Sequence, residues 1–297
     1  MGFKSIGELI DSELSGKKRE YIWRKVPSQV TNTGIWFDLS MSPGMPTPKY
    51  WFDAAPLEAK AITQSTDGGF YHGPNVSPSE KFLTKLTVQS SASGTTQVAP
   101  MNAILLDYLL YYPSIDDGTT DPQVMDNTVT LPRYTDGKGV QMMAITTGAR
   151  TGGQQFTVNY TNQDGIAGRV TPVITQNTFN VIGTVTSHNN TTANSPGPFL
   201  PLQDGDSGVR SIESVTMLGS DVGLFTIILV KPIVQICFRN SLTTTAGVVA
   251  VPTEKDLLLH QTNITRIYDD AFLNFIVLPQ GSLASNVLQG SLKLIWN

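Results

Sequence analysis

The run NAILLDYLLYY at residues 102–112, bounded by Pro100 and Pro113, decides the fold class. Its length suits a long buried strand or a short helix, and periodicity alone does not separate the two. The aromatic end and the bounding prolines favour a strand. Working outward, residues 81–89 alternate, with Phe82, Leu86 and Val88 on one face. Further strand-like runs stand at 127–131, 140–146, 155–160, 168–175 and 179–186. The last third continues with 209–217, 224–230, 233–238, 248–251, 262–268, 272–278 and 292–296. The segment VRSIESVTM at 209–217 alternates, whereas 224–230 and 233–238 are nearly continuous apolar runs, as strands buried on both faces are. Between these runs lie turn signals such as Asp67-Gly68-Gly69, Thr135-Asp136-Gly137, Thr151-Gly152-Gly153 and Gln163-Asp164-Gly165. No strand–helix–strand alternation occurs, which disfavours a parallel sheet. The expected fold is mostly β: an antiparallel β-sandwich of jelly-roll type with a short N-terminal helix and an extended N-terminal arm.

Composition agrees. The chain has 297 residues, enough for a substantial core, with 15% charged and 40% hydrophobic residues, 26 Gly and 18 Pro. Thr, Ser, Asn and Gln fill the polar positions, which suits pleated surfaces and corners. So low a charge suits a surface that is covered by neighbours. The net charge of −4 disfavours a nucleic-acid partner. The single cysteine, Cys237, excludes an intrachain disulfide and a cysteine metal cluster. No apolar stretch reaches the length of a membrane span, and the first residues, MGFKSIGELIDSEL, do not read as a secretory signal.

Two units are expected, residues 1–65 as helix and arm and 66–297 as the sandwich body, with a loop at 188–201. In the first, Ser5 and Glu8 form a capping box, and Ile6, Leu9, Ile10 and Leu14 fall at helical spacing. Such a helix either packs on the body or docks on a neighbouring subunit. Residues 27–56 read as an extended arm stiffened by Pro43, Pro46, Pro48 and Pro56. Its aromatic side chains need a surface, supplied by the body or by a neighbouring copy. Trp23, Trp36, Phe37, Tyr50, Trp51 and Phe52 are the candidate interface anchors, because aromatic residues dominate buried interfaces. Removing everything before residue 55 is expected to leave a folded body that no longer assembles.

Candidate chemistry is sparse. Gly205-Asp206-Ser207-Gly208 resembles the nucleophile segment of chymotrypsin-like proteases. That mechanism needs an upstream histidine base. His72 and His188 lack its context, so the tetrapeptide also reads as an ordinary turn before a strand. The three histidines, with His260, lack metal-ligand spacing. The acidic pairs Asp116-Asp117, Asp204-x-Asp206 and Asp269-Asp270 read as solvated loop carboxylates. Lys17, Lys18, Arg19, Arg24 and Lys25, interleaved with Tyr21 and Trp23, are a basic stretch of the kind that touches nucleic acid or an acidic neighbour, or more often forms a solvated face. No catalytic residue, cofactor or metal is expected.

Four segments carry a family likeness: WFDLSMSPGMPTPKY (36–50), GGFYHGPNVSPSEKFL (68–83), DYLLYYPSIDDGTTDPQVMDNTVTLPRYTDGKGVQMMA (107–144) and NYTNQDGIAGRVTP (159–172). They resemble a family of tailed-bacteriophage virion structural proteins associated with the head, over residues 5–216. The resemblance implies a non-enzymatic decoration or auxiliary capsid protein, located in the virion and assembled in the host cytoplasm. It implies partners among sister copies, the major capsid protein or other virion proteins. It transfers no active site. The alternative is a tail- or fibre-associated host-binding protein whose Asn/Thr-rich loops contact glycans.

Overall fold

The computed structural model describes residues 2–91, 100–177, 181–186, 197–238, 252–260 and 264–297. The chain opens with α1 (Ile6–Leu14), β1 (Lys18–Lys25), β2 (Phe37–Asp38), β3 (Gly44–Met45), β4 (Lys60–Ala61) and α2 (Gln64–Asp67). Then come β5 (Lys81–Ser91), β6 (Met101–Asp116), β7 (Gln123–Val124), β8 (Gln141–Thr146), β9 (Gln155–Asn162), β10 (Arg169–Val170) and β11 (Ile174–Thr175). The last elements are β12 (Val209–Met217), β13 (Leu224–Phe238), β14 (Thr253–Asp256), α3 (Leu257–His260), β15 (Thr265–Ile267), β16 (Phe272–Leu278) and β17 (Val287–Trp296). The protein is mostly β, as the sequence predicts, and every ladder between these strands is antiparallel.

Three sheets form. A central sheet runs β2-β16-β6-β13-β8, with β4 also on β6. A second runs β14-β5-β17-β1-β3, with β15 on β5, and a third runs β10-β9-β12-β7, with β11 on β9. The long pair β6 and β13 belongs to two cores at once. On one face, Ala103 and Leu105 of β6 and Val234 and Ile236 of β13 pack against Trp23, Leu86 and Leu292 of the second sheet. Further along the same strands, Leu110, Tyr112, Ile227 and Leu229 pack against Val158, Tyr160 and Ile212 of the third. The opposite face, carrying Ile104, Leu106, Tyr108 and Tyr111, is covered by Trp36, Trp51 and Ile62. Burial on both faces explains why 102–112 reads as an unbroken apolar run.

Asp107 lies inside that run, between the first two cores. Arg133 clamps it with Nη2 at 2.7 Å from Oδ1 and Nε at 2.9 Å from Oδ2, and also donates to the carbonyls of Ile62 and Tyr108. Burial pushes the Asp107 carboxyl up to about 6, against the pull of the guanidinium. A buried ion pair gives little net stability, but removing one partner strands a charge at a cost of about 3–5 kcal/mol.

Several boundaries differ from those expected. Pro113 does not end β6, and Lys231-Pro232 does not split 224–238 into two strands. Both prolines sit at register shifts of the β6–β13 ladder, where no hydrogen-bond donor is needed. Residues 127–131 form no strand, and the described part of 179–186 makes only isolated bridges, Thr184 to Phe37 and Val185 to Ile145. The expected strand at 248–251 and most of the 188–201 loop lie outside the described residues. The basic stretch is a strand: β1 pairs with β17 along its whole length and with β3 at Arg24 and Lys25.

Candidate assembly interface

The arm begins where Lys25 turns inward. Its ammonium is fully buried and donates to the carbonyls of Ser42 (3.0 Å), Pro46 (2.9 Å) and Ser40 (3.4 Å). One side chain thus gathers the turn at residues 40–46. Burial lowers its pKa to about 8, opposed by the nearby Asp38 carboxylate. Asp38 is itself buried at the foot of the arm. Its carboxylate accepts from the Tyr108 hydroxyl (2.6 Å), Trp51 Nε1 (3.1 Å), and the backbone N–H (3.3 Å) and hydroxyl of Ser40. Burial raises its pKa and these donors hold it down. Asp38 therefore ties body strand β6 to two points of the arm.

Tyr50-Trp51-Phe52 is where the arm divides inside from outside. The Trp51 indole is fully buried and stacks on Tyr108 at 5.5 Å and 3°. Its neighbours point the other way: Tyr50 is 48% exposed and Phe52 49%, with their rings 5.4 Å apart. Lys49 and Asp53 bracket the triplet. Lys49 pairs with Asp53 (2.6 Å) and with Asp67 of α2 (2.9 Å), and the Tyr111 hydroxyl donates to Asp53 (2.7 Å). The outward rings are thus held on a fixed backbone.

Of the six candidate anchors, the structure puts Trp23, Trp36, Phe37 and Trp51 in the chain's own core and leaves Tyr50 and Phe52 at the surface. Trp23 stacks on Phe70 at 4.8 Å, beneath β1. Truncation before residue 55 would remove β1, Trp23 and Trp51 together, so it disrupts the body as well as the arm.

The N-terminal helix keeps most of its apolar stripe outside. Helix α1 is capped by Ser5, whose hydroxyl accepts from the Glu8 N–H (3.2 Å), but its only buried residue is Ser12. Ile6, Ile10 and Leu14 face outward, and Ile10 and Leu14 share a groove with exposed Leu258 of α3. The helix is tethered by Glu13, which binds Lys18 and Lys293, both at 2.8 Å, and whose carboxyl these contacts hold below the usual range. Among the basic residues, Lys17, Arg19 and Arg24 are exposed, whereas Lys25 is used inside.

The Gly205–Gly208 segment is a braced turn. Asp206 accepts from the Tyr160 hydroxyl (2.6 Å), Asn162 Nδ2 (2.7 Å) and Arg169 Nε (2.9 Å). Gln163 Oε1 accepts the N–H groups of Ser207 and Gly208. His72 is buried, with Nε2 on the Ala271 carbonyl and Nδ1 facing Lys81. His188 and the His260 side chain lie outside the described residues.

No family model matches the chain, and no curated protein matches it. The tailed-phage likeness therefore rests on the quoted segments alone. Among solved structures, the Gx strain of infectious bursal disease virus is 9% identical over 94% of this chain and 81% of that one, with a TM-score of 0.20. The VP2 subviral particle of the same virus is 10% identical over the same shares, with a TM-score of 0.18. This is a weak structural similarity to a viral capsid protein, and nothing about the function of this chain follows from it. No helix among the described residues is long and apolar enough to cross a membrane.

Proposed function

We propose that this chain is a non-enzymatic structural component of a virion, a head-associated decoration or auxiliary protein that works by contact with sister copies or capsid subunits. The observation that carries the assembly part is the Tyr50–Phe52 pair. Two large rings stand half exposed on a backbone fixed by the buried Trp51 between them. An anchor that is already ordered loses little conformational entropy on docking, so its burial goes into affinity. The absence of a catalytic role is supported by the use of Asp206 and Gln163 to brace the turn around Ser207. The head-associated placement is supported by the sequence resemblance.

The test is mass spectrometry of purified particles after separation of heads from tails. The reading expects the chain in the head fraction. Its presence in the tail fraction alone would favour the host-binding alternative, and its absence from particles would remove the virion reading.

A further inference from the structure

Away from the arm's outward rings, a cavity of about 550 Å³ opens between the loop at residues 64–75 and the turn at Asp269-Asp270. That volume lies within the range of small-molecule sites, about 300–1,000 Å³. Its walls combine one large apolar surface with convergent polar groups. Tyr71 is 57% exposed and held edge-on by Tyr21, with the ring centroids 5.1 Å apart. Asp270 faces the cavity with its carboxylate oriented by the Ser65 N–H (2.9 Å) and hydroxyl (3.2 Å). Each oxygen keeps a lone pair for an incoming donor. Asn75 turns its carbonyl to the Ser77 N–H (2.6 Å), which leaves its NH2 group to donate. Gln64 completes the rim.

The floor packs tightly on β16. Gly68 and Gly69 both adopt positive φ, and a side chain on Gly69 would press on the Leu273 backbone at 3.1 Å. Behind the wall, Lys81 donates to the Pro74 carbonyl (3.0 Å) and lies 3.4 Å from Asp269. It also faces His72 Nδ1 at 3.3 Å, while His72 Nε2 donates to the Ala271 carbonyl at 2.8 Å. Burial and the neighbouring ammonium hold His72 down to about 4, so it stays neutral and this bracing does not change near neutral pH. First-line groups supported from behind in this way are preorganised.

The chemistry selects among ligands. Lys81 already faces one of the two carboxylates, so the site has a weak field for a cation. Among the described residues no group of three or more His, Cys, Asp or Glu is placed to hold a metal. What remains is a half-exposed ring beside paired acceptors and amide donors. A sugar ring presents the complement: an apolar C–H face and adjacent hydroxyls that donate and accept. We propose that this cavity is a saccharide-binding site, in which one pyranose ring packs on Tyr71 and two adjacent hydroxyls bond to Asp270, with Asn75 and Gln64 at its edge.

The test is a titration of the 15N-labelled full chain, followed by amide shifts, with D-glucose, D-galactose, N-acetyl-D-glucosamine and L-rhamnose. N-acetylarginine amide serves as the cation probe. The proposal expects saturable shifts at Gly68, Tyr71 and Asp270 with at least one sugar. Tyr71→Ala should weaken that binding about tenfold or more, and Tyr71→Phe should keep it. Asp270→Asn should weaken it as well; if that variant does not fold, the Tyr71 pair still decides. The proposal is overturned if no sugar gives saturable shifts, if binding survives Tyr71→Ala, or if only the arginine probe binds. The measurement uses the isolated chain, so its failure leaves the assembly reading standing, and the particle fractionation does not bear on it.

Discussion

The arm at residues 27–56 buries most of its large rings in its own fold and shows two of them outside, whereas α1 buries a serine and shows its apolar stripe. Both carry exposed apolar groups, but they are held differently. Tyr50 and Phe52 flank an indole that is stacked, hydrogen-bonded and fully enclosed. Ile6, Ile10 and Leu14 ride on a helix tethered to β1 and β17 through the polar contacts of Glu13. A surface ring on a rigid mount is a better docking anchor than one whose mount must first be ordered. The difference shows that aromatic content alone does not mark an interface. In the proposed interface, the docking anchors are exposed rings next to a buried one.

The largest expected effect is at the mount. Trp51→Ala empties the space beside Tyr108 and takes a donor from Asp38, and should destabilise the fold by about 3–5 kcal/mol in urea unfolding. A loss below about 1 kcal/mol would mean that the arm is not anchored there. Next is Lys25→Met, which strips the Ser40, Ser42 and Pro46 carbonyls of a shared donor and should cost about 1–3 kcal/mol. It also has a pH signature. The folded pKa of about 8 lies below the ordinary 10.5, so between these values the unfolded chain binds more protons. The wild type should therefore gain stability over Lys25→Met as pH rises from 8 to 10.5. A constant gap across that window would contradict the burial of the charge.

Effects on α1 should be smaller. Glu13→Gln breaks two partly exposed ion pairs and should cost about 0.2–1 kcal/mol, with faster amide exchange confined to α1. Exchange that quickens equally in β1 and β17 would show the helix to be integral to the second sheet. Ile10→Ser should change global stability by less than about 0.5 kcal/mol. A larger loss would mean that the stripe is covered within the chain.

Much of this architecture can be read in the residues, and the exceptions have physical causes. The run at 102–112 is legible because both faces of the central sheet are buried. β1 escapes notice because KREYIWRK has charges at five positions, while only Trp23 and Lys25 are buried in the strand. A buried lysine looks like any surface lysine until its three carbonyl partners are known. Asp107 is hidden in the same way, since Arg133, its partner, is 26 positions away. Prolines 113 and 232 mislead because a bulge removes the need for a donor. In the candidate interface, the identity of the aromatic residues is plain in the sequence, but their direction is not. Tyr50, Trp51 and Phe52 are all large aromatic residues, and the Asp38–Tyr108 pair, brought together across 70 positions, receives the Trp51 indole by hydrogen bond and stacking. The cavity beside Tyr71 assembles from segments about 200 positions apart, so no local motif announces it.

In the proposed function, the outward rings do the assembling while the inward one holds them in place. The most direct measurement is incorporation of a Tyr50→Ser/Phe52→Ser double variant into particles, in competition with wild type, after its urea midpoint has been shown to match. Unchanged stability, within about 0.5 kcal/mol, and loss of the variant from purified particles are the expected result. Incorporation at the wild-type level by a variant of wild-type stability would contradict it.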